Sequence, residues 1–396
     1  MKAGGGHLYL SVASIYTGVT TINEGALHVR ANGGLGATGA GNGTKVVSTA
    51  STHGTLILEN NITVAEDIAL SFTDGTAQDV LQVQSGNSTV SGGLTLDRAG
   101  TSTGAYVFGI STSSGATLNL TGSITGQTTG TEAVTSDSSR LRITAGGTVN
   151  ISGAISDGTI GIGGLSLYKQ SSGILRLSGN NTYSGPTAHS AGVLLVNNTV
   201  GSGTGMGSVS VTGTAILGGV GIIAPAGSGG ITFASGTKVS PGDYDVNGVS
   251  QTGMLTIALG NTTGSALFST GSTMAFDFDV GLGLNDSLAF TGLSVNTARV
   301  SFSSNQINFS VTGGTLSDGL YTLATFDAAN AYSGSWSIGS GLAGYDASLV
   351  FNADSIQLQI GSIPEPSSAA LLVGGVSLFV MVAGRRRRRG VETSCV

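Results

Sequence analysis

The chain has 396 residues and a formal net charge of −6, with 9% charged residues, 67 glycines and only 5 prolines. Disordered chains usually combine high charge with low hydrophobicity, and collagen needs glycine at every third position with abundant proline, so neither class fits. Before Ile363 there are 10 basic and 19 acidic residues, which argues against nucleic-acid binding because such proteins present a basic face. The single cysteine, Cys395, leaves the body without a disulfide or a thiolate metal site.

Two segments far apart in the chain share one sequence pattern. YTGVTTINEGALHV, from Tyr16 to Val29, aligns without a gap with YSGPTAHSAGVLLV, from Tyr183 to Val196. The identical pairs are Tyr16/Tyr183, Gly18/Gly185, Thr20/Thr187, Gly25/Gly192, Leu27/Leu194 and Val29/Val196. A unit too small to bury its own apolar face is stabilised when copies stack, so this repetition favours a β-solenoid over a sandwich or a barrel.

Short apolar–polar–apolar triplets recur along the chain and predict an all-β fold. A period of two places the apolar side chains of a strand on one face, and the Gly, Asn, Ser and Thr between the triplets are typical of turns. The triplets are Leu94-Thr95-Leu96, Leu118-Asn119-Leu120, Leu141-Arg142-Ile143, Val149-Asn150-Ile151, Leu165-Ser166-Leu167, Leu175-Arg176-Leu177, Val209-Ser210-Val211, Leu255-Thr256-Ile257, Phe276-Asp277-Phe278, Ile307-Asn308-Phe309 and Ile356-Gln357-Leu358. No long stretch of helical periodicity precedes residue 369.

LRLSGNNTYSGPTAHSAGVLLVNNTVGSGTGMGSVSVTG, from Leu175 to Gly213, resembles the autotransporter-associated β-strand repeat. The shared features are a Leu-rich strand, an Asn-Asn-Thr-Tyr turn, a Gly-x-Leu-x-Val strand and a Gly-x-Gly turn. The segment at 16–29 has the same core without the Asn-Asn, and KVSPGD at Lys238–Asp243 is similar to the family's downstream strands. The resemblance implies a right-handed parallel β-helix of the kind found in autotransporter passenger domains.

The resemblance also implies an organisation of the chain. Residues 1–272 are predicted to form the β-solenoid, with repeat copies at 16–29 and 175–213, and residues 273–361 to form its C-terminal coils or a cap. At roughly 20–25 residues per coil the body would supply about 15 coils, which at ~4.8 Å per strand gives a rod on the order of 70 Å. A cap is expected because unpaired strand edges invite aggregation.

SIPEPSSAALLVGGVSLFVMVAGRRRRRG, from Ser362 to Gly390, combines a Pro-Glu-Pro triplet, an apolar run and an arginine cluster. Residues 369–383 carry no charge and are mostly apolar. As a helix they would span about 22 Å of a ~30 Å hydrocarbon core, and snorkelling arginines narrow that gap. The segment is therefore predicted to be a single C-terminal transmembrane helix whose arginines lie in the cytoplasm by the positive-inside rule.

These three parts, in this order at the C-terminus, resemble a PEP-CTERM sorting signal over residues 362–390. The resemblance implies that a membrane-embedded exosortase recognises Pro364, Glu365 and Pro366, cleaves nearby, and releases or transfers the body to the cell surface. The cytoplasmic anchor residues would be Arg385, Arg386, Arg387, Arg388 and Arg389. The implied localisation is the inner membrane for the precursor, and then the cell surface, the outer membrane or the extracellular space. A Pro-x-Pro stretch suits this role because it stays extended and open to an enzyme.

The N-terminal MKAGGGHLYLSVASIYTG lacks the apolar region of a secretory signal peptide. A sorting signal that acts outside the cytoplasm needs an export signal, and Tyr16 already lies inside a repeat unit. We therefore expect the sequence to be a fragment of a longer reading frame.

Asp277 and Asp279 are the candidate residues for catalysis. On a strand they share one face with their Cα atoms ~6.8 Å apart, inside the ~5–9.5 Å range of glycosidase carboxylate pairs. Parallel β-helices host polysaccharide lyases and hydrolases, but Phe276 and Phe278 favour a plain strand with its polar face in water. One tryptophan, Trp336, is present as a sugar-stacking platform.

The sequence predicts neither a metal site nor a cofactor. The histidines are scattered along the chain at His7, His28, His53 and His189. His189 aligns with Ile22 in the other repeat unit, so the repeat does not require it. GLGLNDSL at 281–288 matches the calcium-binding nonapeptide only in part and is interpreted as a turn into the next strand.

The sequence therefore predicts a non-enzymatic, exported, surface-displayed β-solenoid with a structural or adhesive role in a bacterial envelope or extracellular matrix. The alternative is a carbohydrate-active β-helix enzyme, a polysaccharide lyase or hydrolase. An acidic cluster with a basic residue beside it on one face of the solenoid would favour the enzyme. A smooth face of Thr, Ser and Asn side chains would favour the structural role. Expected partners are the exosortase, the membrane and an extracellular polysaccharide or other surface component, but no nucleic acid.

Overall fold

The computed structural model describes residues 1–75, 77–100, 105–126, 139–159, 164–226, 229–244, 250–260 and 263–361. Within these ranges the chain forms 39 β-strands and no helix, which confirms the all-β fold class. The strands of the N-terminal part are β1 His7–Leu10, β2 Thr20–Ile22, β3 Gly25–Val29, β4 Gly43–Ser48, β5 Gly54–Leu58, β6 Thr63–Val64, β7 Asp67–Phe72, β8 Ala77–Val83, β9 Asn87–Val90, β10 Leu94–Arg98, β11 Tyr106–Thr112, β12 Thr117–Leu120, β13 Ile124–Thr125, β14 Ser139–Ala145, β15 Thr148–Ile151 and β16 Ile155–Ser156.

The second part of the chain continues the series without a change of class. Its strands are β17 Leu165–Gln170, β18 Ile174–Leu177, β19 Thr187–His189, β20 Val193–Val196, β21 Val209–Val211, β22 Ile216–Gly219, β23 Ile222–Ile223, β24 Ile231–Phe233, β25 Lys238–Pro241, β26 Asp243–Tyr244, β27 Ser250–Gln251, β28 Met254–Ala258, β29 Ala266–Phe268, β30 Thr273–Asp279, β31 Leu284–Asn285, β32 Ser287–Thr291, β33 Val300–Phe302, β34 Asn305–Thr312, β35 Gly319–Phe326, β36 Tyr332–Ser333, β37 Trp336–Ile338, β38 Asp346–Phe351 and β39 Ser355–Gly361.

The chain winds through three faces, and most coils place one strand on each face. The first face is a 13-stranded sheet, β1-β3-β5-β8-β11-β14-β17-β19-β21-β24-β29-β33-β36, and the second is a 12-stranded sheet from β6 to β37. The third face consists of two six-stranded sheets, β2-β4-β7-β10-β13-β16 and β23-β28-β32-β35-β39-β38. Among the described strands, only β26–β27, β30–β31, β35–β39 and β38–β39 pair antiparallel. This is the arrangement of a parallel β-solenoid.

The two sheets of the third face are joined by single hydrogen bonds where no strand forms. The Ile155 amide of β16 donates to Asn181 Oδ1 at 2.8 Å, and the Asn181 amide donates to the Ser202 carbonyl at 2.8 Å. The Gly203 amide then donates to the Ile222 carbonyl of β23 at 2.8 Å. An asparagine side chain carries the same donor and acceptor as a peptide group, so Asn181 replaces a piece of strand and keeps the face continuous.

The core lies inside the coils and is built from stacked inward side chains. All the predicted triplets lie in strands, and every apolar member is buried. One inward row on the first face runs through Leu27, Leu56, Leu81, Ile110, Ile143, Lys169, His189, Val211, Phe233, Phe268 and Phe302. The row is aliphatic at its start and aromatic at its end, where the rings of Phe233 and Phe268 stack at 4.5 Å. Each fully buried apolar side chain of this row contributes roughly 1.5–3 kcal/mol relative to an exposed one.

The stack of strands is shorter than expected from the sequence, because many coils contain more residues than expected and the chain therefore forms fewer of them. The 13 strands of the first face span about 58 Å at ~4.8 Å per strand. Register partners lie 22 residues apart at Thr187 and Val209 but 34 apart at Ala266 and Val300. The parallel stack continues into residues 273–361, where β30 pairs with β25 and β34, and antiparallel β35, β39 and β38 follow on the third face.

The predicted transmembrane segment, residues 369–383, lies outside the described residues. In the part of the chain that the structure describes, no helix is long and apolar enough to cross a membrane. The membrane span and the right-handed sense of the coil stay predictions.

Candidate functional sites on the coil faces

The predicted carboxylate pair lies on β30, on the outer side of the second face. Asp277 and Asp279 alternate along the strand with the buried rings of Phe276 and Phe278. Asp279 Oδ1 accepts a hydrogen bond from the Leu282 amide at 3.0 Å. This carboxylate therefore stabilises the turn that leads from β30 into β31.

A third carboxyl group, which the sequence did not reveal, is buried beside the pair. Asp286 is fully buried, and its two oxygens accept hydrogen bonds from the amides of Asp277 at 3.0 Å and Gly253 at 2.7 Å. Burial raises the pKa of Asp286 to about 8, although the two amide donors act in the opposite direction. The group links three segments of backbone and is not exposed to a substrate. In the sequence, Asp286 belongs to the segment at 281–288 that was interpreted as a turn into the next strand.

A cavity of about 190 Å³ adjoins the same turn. Its lining includes Phe278, Asp279, Asn285, Leu316 and Tyr321. Asp277 does not line it, so the structure does not bring the two predicted carboxylates to one cavity.

A second polar cluster occupies the outer side of the first face at its first three strands. His7 Nδ1 lies 2.8 Å from His28 Nε2, and His28 Nδ1 lies 2.6 Å from Glu59 Oε1. Arg30 Nε donates to Glu59 Oε2 at 2.5 Å, and its guanidinium carbon lies 4.2 Å from the centre of the Tyr9 ring. We call these five residues the outer polar cluster.

The electrostatics of the outer polar cluster centre on Glu59. Burial pushes the pKa of Glu59 upward, but the hydrogen bonds and charges of Arg30 and His28 outweigh burial and leave that pKa below its ordinary value. The ionised carboxylate holds the buried ring of His28, which contacts the exposed ring of His7. A hydrogen-bonded chain thus runs from a buried carboxylate to an imidazole at the surface.

The sequence placed the histidines apart, and the stacking of coils brings two of them together. His7 and Tyr9 on β1 are the register partners of Ala26 and His28 on β3. His7 and His28 are 21 residues apart, which is two residues more than the 19 that separate the register partners His7 and Ala26, and that spacing was the available signal. Among the described residues, no group of three or more His, Cys, Asp or Glu side chains is arranged to hold a metal ion.

The structure extends the repeat upstream of the aligned segments. In both units a lysine ammonium group donates to two backbone carbonyls at matching positions. These are Lys2 to Gly4 and Glu24, at 2.5 and 2.8 Å, and Lys169 to Ser171 and Ala191, at 2.6 and 3.0 Å. The gapless alignment therefore starts at the two lysines, and we call residues 2–29 the first copy and residues 169–196 the second copy.

The second copy carries a counterpart of the outer polar cluster. Arg176 and Asn197 stand at the positions of Tyr9 and Arg30 in the alignment. Both bind Asp243, with Arg176 Nε 3.3 Å from Oδ1 and Asn197 Nδ2 donating to Oδ2 at 2.7 Å. Asp243 belongs to β26, which pairs antiparallel with β27, so its carboxylate lies over the outer side of the second copy at Arg176 and Asn197. The outer side of the first copy has Tyr9 46% exposed and lacks such a cover within the described residues.

One ion pair on the first face reaches across an intervening strand. Arg142 Nη2 of β14 lies 2.8 Å from Asp79 Oδ1 of β8, and Gly109 of β11 stands in register between them. A Cβ at Gly109 would run into the Asp79 carboxylate, so glycine is required for this close approach. The pair joins three coils.

Mostly polar side chains line the other outer sides. On the third face a row runs through Thr21, Lys45, Ala69, Thr95, Thr125 and Ser156. On the second face Asn119 Nδ2 donates to Asn87 Oδ1 at 2.6 Å, and Asn150 Nδ2 donates to Asn119 Oδ1 at 2.9 Å. These asparagines bond to each other along the stack and form a polar ladder.

The predicted sorting residues lie outside the described part of the chain. They are Pro364, Glu365, Pro366, Arg385, Arg386, Arg387, Arg388 and Arg389. The structure therefore places the candidate carboxylates and the outer polar cluster but not the sorting signal.

The comparison with protein families identifies the same repeat. Residues 2–29 and 167–196 match the family model described as Passenger-associated-transport-repeat. No curated protein matches the chain. The first match coincides with the first copy, and the second match contains the second copy and begins two residues before it. The matches confirm the predicted repeat over residues 16–29 and 175–196. The chain therefore carries autotransporter-associated β repeats in a parallel β-sheet architecture, which fits a passenger-type β-helical protein.

Proposed function

We propose that the chain is an exported, surface-displayed β-solenoid with a structural or adhesive role in a bacterial envelope or extracellular matrix. The observation that carries the proposal is the passenger-type repeat within a stack of 13 parallel strands. A long stack of similar coils presents extended flat faces, and such surfaces are what repeat proteins use for binding and assembly.

The use of buried charged groups supports a structural role. Arg299 donates to the carbonyl groups of Leu259, Gly260, Gly264 and Gly292. Lys169 Nζ donates to the carbonyl groups of Gln170, Ser171 and Ala191. Charged groups that are fully occupied by backbone carbonyls hold turns together and have no free donor for a substrate.

We further propose that residues 362–390 sort the protein through an exosortase, from a precursor in the inner membrane to the cell surface. β39 ends at Gly361, directly before this segment. Cleavage near Pro364-Glu365-Pro366 would therefore remove the apolar run and the arginines and leave β39 intact.

The test of sorting is the C-terminus of the mature protein. A tagged, export-competent version would be expressed in a host that has an exosortase, and intact-mass spectrometry would be applied to the surface fraction. We expect a C-terminus near residue 365, whereas Glu365→Ala or deletion of Arg385–Arg389 should leave uncut precursor in the membrane. A surface protein that still ends at Val396 would rule out this route.

The second candidate is a carbohydrate-active enzyme, because Asp279 lines a cavity and the buried Asp286 adjoins Asp277. A purified chain would be assayed on a panel of uronates and neutral glycans. Under the structural proposal there is no turnover. Turnover that disappears in Asp277→Asn, while circular dichroism stays unchanged, would replace the structural role by the enzymatic one.

A further inference from the structure

The cavity beside β31 forms where strands of the second face extend beyond the strand of the preceding coil. β30 pairs with β25 through its first two residues only, but it pairs with β34 along all seven. The end of β30 that β25 does not cover folds back into β31. The space of about 190 Å³ lies between this turn and the start of β35, and the exposed Leu284 and Ser317 place its mouth at the surface.

The polar side chains of this cavity are mainly hydrogen-bond acceptors. Asn285 Nδ2 donates to two backbone carbonyls, at 2.7 and 2.9 Å, so both of its amide hydrogens are used. The hydroxyl of Tyr321 donates to the Ser317 carbonyl at 2.9 Å. Beside the Ser317 hydroxyl, the lining side chains within the described residues therefore offer a ligand Asn285 Oδ1, the lone pairs of Tyr321 Oη and the Asp279 carboxylate.

The charge around the cavity is negative. Residues 263–361 contain seven aspartates and one basic residue, Arg299. Arg299 is buried, and its guanidinium group donates to backbone carbonyls inside the coils. Among the described residues, no basic side chain lines the cavity. An anionic ligand would therefore meet the Asp279 carboxylate without a counter-charge, whereas a cationic ligand would be attracted.

The remainder of the lining is apolar. Phe278 and Leu316 are buried, and the ring of Tyr321 packs edge-on against that of Phe278 with the ring centres 5.4 Å apart. At ~30 Å³ per water molecule the cavity has room for about six waters, which is the space of one six-membered ring with its substituents. A sugar ring has the matching chemistry, because it carries C–H groups on its faces and O–H or N–H donors around its edge.

We propose that this cavity binds one hexose unit of an extracellular polysaccharide without negative charge, and that an amino sugar, whose ammonium group pairs with Asp279, binds most tightly. Asp279 and Asn285 lie on β30 and β31, whereas Tyr321 lies on β35 of the next coil. The ligand therefore needs donors on several carbons, and a lysine side chain, with all its donors on one nitrogen, does not supply them. The proposal rests on the structural or adhesive role proposed above and names a ligand for it.

Asp279→Asn is the variant that tests the site. Asparagine keeps an oxygen for the Leu282 amide, so the turn is retained while the charge is removed. Asp277→Asn is the matched control, because it removes a carboxylate from the same strand but not from the cavity lining. Titration calorimetry on the full chain would use short oligomers of glucosamine, glucose and glucuronate. The detergent should have no sugar headgroup, since such a headgroup would compete for the cavity, and reductant keeps Cys395 from forming disulfides between chains.

The wild type and Asp277→Asn should bind glucosamine oligomers at least about tenfold more tightly than glucose oligomers, and glucuronate oligomers more weakly than either. In Asp279→Asn the affinity for glucosamine oligomers should fall to that for glucose oligomers, with an unchanged circular dichroism spectrum. A wild type that binds neither glucosamine nor glucose, glucuronate bound as tightly as glucosamine, or equal losses in the two variants would each overturn the proposal. None of these results bears on the sorting route, which the C-terminus of the surface protein tests separately.

Discussion

The first and second copies make the same internal contacts in different surroundings. Tyr16 Oη lies 2.8 Å from Thr20 Oγ1, and Tyr183 Oη lies 2.6 Å from Thr187 Oγ1. The lysine at the start of each copy binds equivalent carbonyls. The repeat thus determines a set of local hydrogen bonds, and what covers those bonds is determined by the coils on either side.

The copies also lie one face apart on the solenoid. In the first copy β1 and β3 belong to the first face and β2 to the third, whereas in the second copy β18 and β20 belong to the second face and β19 to the first. The same sequence unit is therefore compatible with different faces of the three-sided coil. Its position depends on the lengths of the coils before it and not on the repeat itself.

The largest difference in stability between the two copies is expected when their tyrosine is replaced by alanine. Because Tyr183 is fully buried, Tyr183→Ala should lower the free energy of unfolding by about 3–5 kcal/mol. Tyr16 is 40% exposed, so Tyr16→Ala should lower it by about 1 kcal/mol. Urea unfolding followed by circular dichroism measures both, and Tyr183→Phe is the control for the hydroxyl alone. Equal losses in the two alanine variants would mean that burial by the preceding coil does not distinguish the copies.

Substitution of Gly25 or Gly192 by alanine should destabilise the protein to a similar extent in the two copies. Both have positive φ, +70° and +74°, and a Cβ at either would run into backbone carbonyls of its own copy. Alanine at either position should cost about 2–3 kcal/mol, because the clash adds to the cost of a left-handed backbone. The same urea titrations test this. Markedly unequal losses would show that neighbouring coils, and not the copy itself, hold this turn.

The sequence predicted the strands because alternation along a strand is a local property that the triplets record directly. It did not predict the polar residues of the core, because Lys169 and His189 stand at inward positions where the pattern calls for apolar side chains. Their partners are backbone carbonyls, which any residue supplies. The contact of His7 with His28 was missed for another reason: it depends on the register of β1 on β3, which coil length alone determines.

Asn181 offers a test of intermediate size. Its Oδ1 accepts the Ile155 amide at 2.8 Å and its Nδ2 donates to the Gly203 carbonyl at 2.5 Å, whereas the first copy has Ser14 at this position. Asn181→Ser should cost about 1–2 kcal/mol, since two buried backbone groups lose their partner. Ser14→Asn, at the equivalent position of the first copy, is the control and should change stability little. An Asn181→Ser protein as stable as the wild type would show that the third face does not need this bridge.

The smallest effect at neutral pH is expected at the position where the first copy has Ile22 and the second copy has His189. Both side chains point inward and are fully buried. Burial lowers the pKa of His189 to about 4, although a hydrogen bond with the Ile216 carbonyl acts in the opposite direction. Between pH 6.5 and 4 the unfolded chain therefore binds a proton that the native chain does not, and native stability falls as the pH falls through this window.

His189→Ile removes that linkage. Its stability should stay within about 1 kcal/mol of the wild type at pH 7, and at pH 5 it should avoid a loss of about 2 kcal/mol that the wild type suffers. The measurement is the difference between the two proteins in urea unfolding at both pH values, because other groups titrate in the same window. Glu59, with its lowered pKa, also destabilises the native chain as the pH falls, whereas Asp286, with its raised pKa, destabilises it as the pH rises toward 8. These contributions are common to both proteins and cancel.

Ile22→His is the mirror variant, and acid sensitivity that appears there would show that the two copies provide equally dry inward positions. If the wild type and His189→Ile lose stability in parallel on acidification, the carboxyl groups alone determine the acid response and the difference between the copies at this position has no effect on stability.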